Sequence, residues 1–271
     1  MGGTISTVHS GGSRFYQDTA SGSRVPGVTS IIGMLAKPYL PAWAAKMAAE
    51  AAVDNLRAVT TIAATDRTGA VDFVKNAHRR YTASRADIGS AAHDIFERMI
   101  RDEPVGEIAP ELDPYRRHFA QFLDAVQPEL IHSEDVAWSD TNAYAGSFDA
   151  LLRIRDDHGA HTVIVDWKTG KATYPEVGLQ LAAYAHADRI ITPEGESVPM
   201  PPVSTGAVLH ITDRKWEFKP VRCDESVFSY FLALRKLFRW DRQVSKEIIG
   251  VPFASGGSVR LVTGTERRAS R

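Results

Sequence analysis

The sequence predicts an α/β protein: a sheet flanked by helices, preceded by a helical N-terminal part. Four stretches between Pro41 and Val126 read as helices. From Ile131 to Val221 the texture turns β-branched and strand-like, and one helical stretch, Glu176–Arg189, interrupts the strands. That order of helices, strands, helix, strands and a last helix fits an α/β core.

Residues 1–13 are Gly/Ser/Thr-rich and read as a flexible leader. Arg14–Asp18 and Val25–Ile32 alternate enough for a small hairpin, with Ser21-Gly22 at its turn. Pro38 and Pro41 open a helix over about Pro41–Arg57, and a second runs about Gly69–Tyr81. A third starts at Ser84, with Asp87 three residues on as in a capping box. Its Ile88, Ala91, Ala92, Ile95 and Met99 form one apolar stripe. A fourth covers about Asp113–Val126. Ile131–Ser139, Ala145–Arg155 and His161–Trp167 read as strands, the last two joined by a turn at Asp156–Gly159. After helix Glu176–Arg189 and a Pro/Gly-rich loop (192–202) come strands Thr205–Thr212 and Trp216–Val221. A last helix, about Glu225–Lys246, leads into a Gly/Ser/Arg tail.

Composition narrows the function classes. With 271 residues, 44% hydrophobic and 24% charged, the chain suits a globular fold rather than disorder, collagen or a coiled-coil array. No apolar run approaches the roughly 20 residues that span a bilayer, and no secretion signal is visible. One cysteine, Cys223, excludes an intrachain disulfide, a Cys-built zinc site and a four-cysteine iron–sulfur cluster. A reducing, intracellular setting is expected. The net charge of −1 hides an asymmetry. From Arg235 to Arg271 nine Lys/Arg stand against three acids, a net +6, which leaves −7 for the rest. Such asymmetry is a hint of nucleic-acid contact; it also suits a solvated basic helix and tail.

Four groups of residues carry chemistry. In Val163–Gly170, read as a strand, Asp166 and Lys168 share one face and Trp167 points the other way into packing. A carboxylate and an ammonium two residues apart can bind a hard divalent cation and hold a water beside it; the same pair also suits a surface ion pair. In Tyr144–Leu152, Asp149 interrupts an apolar strand and needs a partner such as a cation. A hairpin with the next strand could bring it near Asp166, where two carboxylates repel unless a cation lies between. His93 flanks the apolar stripe of its helix, and neutral imidazole is a common metal ligand. Gln180 and Tyr184 share a helical face just after the strand bearing Lys168.

Taken together these residues resemble the PD-(D/E)XK nuclease superfamily, in its RecB-like and viral exonuclease branch. That branch carries a helical G-x(3)-H, G-x-x-D in a strand, D-x-K at the next strand's end and Q-x(3)-Y on the following helix. Here they are Gly89 to His93, Gly146 to Asp149, Asp166-Trp167-Lys168, and Gln180 to Tyr184, with Thr169-Gly170-Lys171 also similar. The likeness covers roughly residues 85–190.

The resemblance implies a restriction-endonuclease-like core at 85–243, a leader, hairpin and helical elaboration at 1–84, and a flexible basic tail at 244–271. It implies Mg²⁺ or Mn²⁺ held by His93, Asp149, Asp166 and the Trp167 carbonyl; the iron–sulfur cluster that four cysteines hold in some relatives is not expected here, since the chain has one cysteine. Lys168 would activate or position water, Gln180 and Tyr184 would support the lysine and the scissile phosphate, and Glu134 would be an accessory. The implied activity is metal-dependent exonucleolytic hydrolysis of DNA in phage or prokaryotic recombination or repair, in the cytoplasm of a bacterial or phage-infected cell. A single-strand annealing protein is the implied partner; a homo-oligomer is open, and no membrane is expected. An endonuclease and a catalytically inactive nucleic-acid-binding protein on the same fold are the rival expectations.

Overall fold

A computed structural model describes residues 5–251 and Gly256. The chain divides after Arg235 into two compact units. The first holds a mixed five-stranded sheet in the order β12-β11-β8-β7-β4. Its strands are β4 (Glu129–Ser133), β7 (Ala150–Asp156), β8 (Gly159–Lys168), β11 (Thr205–Ile211) and β12 (Trp216–Val221). β8 and β11 run parallel, and every other neighbouring pair is antiparallel. The parallel step needs a crossover, which helix α7 (Glu176–Ala185) supplies.

One face of this sheet is covered by α5 (Ala77–Ile100) and α6 (Asp113–Val126). Their Ile95, Phe96, Phe119 and Phe122 pack on Leu152, Val165, Trp167, Leu209 and Ile211 from the strands. α7 packs against β8, β11 and β12. It approaches closely because Gly206 has no side chain: a Cβ there would meet Leu181 at 3.1 Å and the Val221 carbonyl at 3.0 Å. The protein is thus α/β, with a central mixed sheet flanked by helices. Among the described residues no helix is long and apolar enough to cross a membrane.

A second sheet, in the order β10-β9-β5-β6, contains β5 (Val136–Ser139), β6 (Tyr144–Ser147), β9 (Arg189–Ile191) and β10 (Ser197–Pro199). The single strands expected over 131–139 and 145–155 are each cut in two by this arrangement. Their first and second halves lie in different sheets, and both cuts fall at the same level of the hairpin. Residues 192–202, expected as loop, include β10, and the helix expected to reach Arg189 stops at Ala185 so that Arg189 can enter β9.

The N-terminal part departs most from expectation. Residues 5–10 are strand β1 (Ile5–Ser10), paired with β2 (Ser13–Asp18), rather than leader. Gly11 and Gly12 both take positive φ (56° and 74°), as a tight two-residue hairpin requires. β2 pairs with β3 (Arg24–Pro26) as expected, but Val28–Ile32 forms helix α1 instead of strand. Its Val28, Ile31 and Ile32 are buried, so tertiary burial overrides their β-branched preference. Helices α2 (Tyr39–Asp54), α3 (Leu56–Thr65) and α4 (Arg67–Lys75) follow; α3 is not among the helices expected from the sequence. α5 begins at Ala77, not Ser84, and crosses the boundary expected after residue 84. Residues 77–83 contain neither Gly nor Pro, so Ser84 lies inside an uninterrupted helix and caps nothing.

The last helix, α8 (Glu225–Arg242), ends with Lys236 and Arg239 exposed, followed by a 3-10 turn at Val244–Lys246. Arg235 is not the free surface charge expected: it is half-buried, and its Nε donates to the Ala143 carbonyl at 3.0 Å. Arg260, Arg267, Arg268 and Arg271 lie outside the described residues.

Candidate metal centre and its surroundings

Strand alternation sorts the end of β8. Trp167 faces the helices and is 1% exposed, edge-on to Phe119, Phe122 and Phe96 at 5.4, 6.2 and 6.5 Å between centroids. This ring anchors the strand end, so Asp166 and Lys168 are held on the opposite face. There the Lys168 ammonium contacts Asp166 Oδ2. That oxygen accepts no well-aligned hydrogen bond; the charge contact is its compensation. Gln180 Nε2 donates to Asp166 Oδ1 at 2.8 Å and lies 3.2 Å from the Tyr184 hydroxyl. Asp166 is almost wholly buried, and burial, with the nearby Asp149 charge, pushes its carboxyl up to about 6 against the pull of Lys168. Burial drives the Tyr184 phenol far above its ordinary value, so it stays a neutral hydroxyl.

The paired strand cuts build the other half. β4 pairs with β7 as far as Ser133↔Ala150, and β5 pairs with β6 from Val136↔Ser147. Glu134 and Asp135 therefore oppose Phe148 and Asp149 at the seam between sheets. Two backbone bonds close the seam: Glu134 N–H to the Asp149 carbonyl (3.2 Å) and Phe148 N–H to the Asp135 carbonyl (3.1 Å). Glu134 takes φ +56°, a conformation that L residues adopt at a cost and that recurs at functional sites. The β7–β8 register runs to Ala150↔Val165, so Asp149 lies one step further, beside the Asp166 level. Its Oδ2 accepts the Trp167 N–H. Burial pushes the Asp149 carboxyl up to about 6, although Lys168 and that hydrogen bond oppose the rise.

His93 comes from α5. Its Nδ1 lies 3.6 Å from Asp149 Oδ1. Burial lowers its basicity and Lys168 adds to this, while Asp166 and a hydrogen bond to the Trp167 backbone act the other way. Because the Trp167 N–H is donated to Asp149, the Trp167 carbonyl is what faces the imidazole. Arg101, at the end of α5, ties this helix to the seam: it pairs with Glu97 at 2.8 Å and donates to the Ser133 hydroxyl (2.8 Å) and carbonyl (2.9 Å).

His93, Glu134 and Asp149 offer ligand atoms that all lie within 4.8 Å of one another. Burial and the charges of Asp149 and Glu97 push the Glu134 carboxyl up to about 8. A neutral imidazole and two carboxylates whose charges repel form a donor set that fits a hard divalent cation. The trio differs from the expected ligands in one place. Glu134, expected as an accessory, stands with His93 and Asp149, while Asp166 is turned to Lys168 and Gln180. The seam was hidden in the sequence because both runs read as continuous strands; the adjacent acids Glu134-Asp135 in one and Asp149 in the other were its local signals.

Two glycines have steric reasons within the same cluster. A Cβ on Gly146 would lie 2.8 Å from Tyr184 Cε1 and 3.1 Å from Val28 Cβ, so its absence lets α7 and α1 close over β6. A Cβ on Gly89 would lie 3.3 Å from Thr169 Oγ1, where α5 passes the end of β8.

No family model matches the chain, and no curated protein matches it.

Proposed function

We propose that the protein is a metal-dependent deoxyribonuclease that hydrolyses phosphodiester bonds at DNA ends, on a restriction-endonuclease-like core. One observation carries this reading: the seam trio His93, Glu134 and Asp149 lies beside a strand end that holds Asp166 against Lys168. The resemblance of Gly89–His93, Gly146–Asp149, Asp166–Lys168 and Gln180–Tyr184 to the nuclease pattern supports it from the sequence.

In this account His93, Glu134 and Asp149 would hold Mg²⁺ or Mn²⁺, with Asp166 and the Trp167 carbonyl adjoining. When bound, such an ion lowers the pKa of water and neutralises charge developing on a phosphate. The protein's own groups do the positioning. Gln180 pins one oxygen of Asp166, so the other stays on Lys168. The ammonium is thereby aimed from a rigid strand end, where it orients the attacking water and stabilises negative charge on the phosphate oxygens. Neutral His93 presents a lone pair, and the Trp167 ring fixes the backbone that carries both carbonyl and lysine.

Incubating end-labelled linear DNA and closed circular DNA with the protein and Mg²⁺ tests the reading. Loss of label from the linear DNA with the circle intact is the expected result. Nicking of the circle at the same rate would make the enzyme an endonuclease, and no hydrolysis of either would overturn the proposal.

A further inference from the structure

A groove of about 1010 Å³ opens beside the candidate centre, at the carboxyl ends of the parallel strands β8 and β11. Crevices at that edge of an open α/β sheet are where ligands bind. One wall is the start of α2, another the Tyr81–Arg85–Ile88 stripe of α5, and the rest are the loops after β8 and β11. Those loops are preset: His210 Nε2 lies 2.7 Å from the Gly170 carbonyl, and His118 Nδ1 lies 2.9 Å from the Thr212 carbonyl.

The lining combines exposed rings with positive charge. Tyr39 is 54% and Tyr174 57% exposed, though large rings are usually buried. Trp43 is half-buried, held edge-on by His78 and Tyr81 at 6.2 and 6.3 Å. Arg85 and Lys171 lie over the Tyr81 ring at 5.6 and 5.8 Å, and Arg214 is exposed on the far loop. Lys37 is already paired with Glu176 at 3.1 Å. The four cations of the lining face two acids, Glu176 and Asp213. α5 links groove and centre: Arg85 and Ile88 line the groove, Gly89 and His93 line the acidic pocket, and Gly89 abuts Thr169.

We propose that this groove binds single-stranded DNA, its bases stacked on Trp43, Tyr39 and Tyr174 and its phosphates on Arg85, Lys171 and Arg214, and leads the strand to the centre. The proposal deepens the nuclease reading and rests on it for the direction of the strand. Rings plus cations select a single strand because a duplex hides its base faces, whereas every unpaired base offers a face for stacking.

The test is fluorescence anisotropy of a labelled oligothymidine in EDTA, where nothing is cleaved, with a blunt duplex of equal length and inorganic polyphosphate as competitors. Wild type should bind the single strand most tightly. Trp43→Ala should weaken binding about 5- to 100-fold, and Trp43→Phe should restore most of it. Tyr174→Ala, at an exposed position, should weaken it in the same direction and covers the case of a poorly folded Trp43→Ala. Arg85→Glu with Lys171→Glu should weaken binding and reduce the salt slope by about 1.4, from about 0.7 per phosphate contact. Unchanged binding in the ring variants, or equal competition by duplex or polyphosphate, would overturn the proposal. Strand binding without Mg²⁺-dependent cleavage would keep the groove and remove the nuclease reading. Cleavage of single strands unaffected by the groove variants would do the reverse.

Discussion

Glu134→Gln gives the most quantitative probe of the seam. The Glu134 carboxyl rises from 4.5 to about 8 because it is buried beside Asp149 and Glu97. A carboxyl whose value is raised in the folded state favours folding only while protonated. Its contribution is present below pH 4.5 and is lost as pH rises toward 8. In cation-free protein, folding must therefore protonate a carboxylate that is ionised in the unfolded chain, which costs about 3 kcal/mol at pH 7 and about 1 kcal/mol at pH 5. Gln cannot ionise. The stability gained on substitution should thus be about 2.5 kcal/mol larger at pH 7 than at pH 5, whatever constant cost the amide adds. For a chain of this size that is a difference of roughly 5–10 °C in Tm. Thermal unfolding in EDTA at the two pH values, followed by circular dichroism, measures it. A Tm difference between variant and wild type that does not change with pH would refute the electrostatic reasoning.

Three further outcomes follow from the same geometry. Adding Mn²⁺ to wild type at pH 7 should raise Tm, by about 2.7 kcal/mol of stabilisation at a hundredfold excess over Kd, and Asp149→Asn should abolish the rise; a scan that shows equal rises would place the ion elsewhere. Gly146→Ala should cost about 1–3 kcal/mol in denaturant unfolding, since its methyl would collide with Tyr184 and Val28; a cost near zero would mean that α7 and α1 yield freely. Removing divalent cations with EDTA should stop DNA hydrolysis, and Mg²⁺ or Mn²⁺ should restore it; activity that survives chelation would exclude this chemistry.

Much of the site's architecture was legible because it follows period-two and helical spacing. Strand alternation puts Asp166 and Lys168 on one face of β8 and Trp167 on the other, and the i, i+4 spacing puts Gln180 and Tyr184 on one face of a helix, as the structure has them. The seam was not legible. Residues 131–139 and 145–155 contain no Pro or other strong breaker that would divide them, and Glu134 takes positive φ without a glycine to announce it. The cuts are a tertiary compromise: each strand joins two sheets, and the kink between them brings Glu134 to Asp149. At the N-terminus the Gly11-Gly12 turn was present in the sequence, but the surrounding small polar residues masked the pairing of β1. The helix at Val28–Ile32 could be seen only from the burial that it achieves.

The central claim is that Lys168, held by Asp166 at the end of β8, acts in phosphodiester hydrolysis beside a cation at the seam. Single-turnover hydrolysis of end-labelled linear DNA in Mg²⁺, comparing wild type with Lys168→Ala, tests it most directly. The account predicts a loss of at least about 10²- to 10³-fold in rate with DNA binding retained. Hydrolysis by Lys168→Ala at the wild-type rate would contradict it.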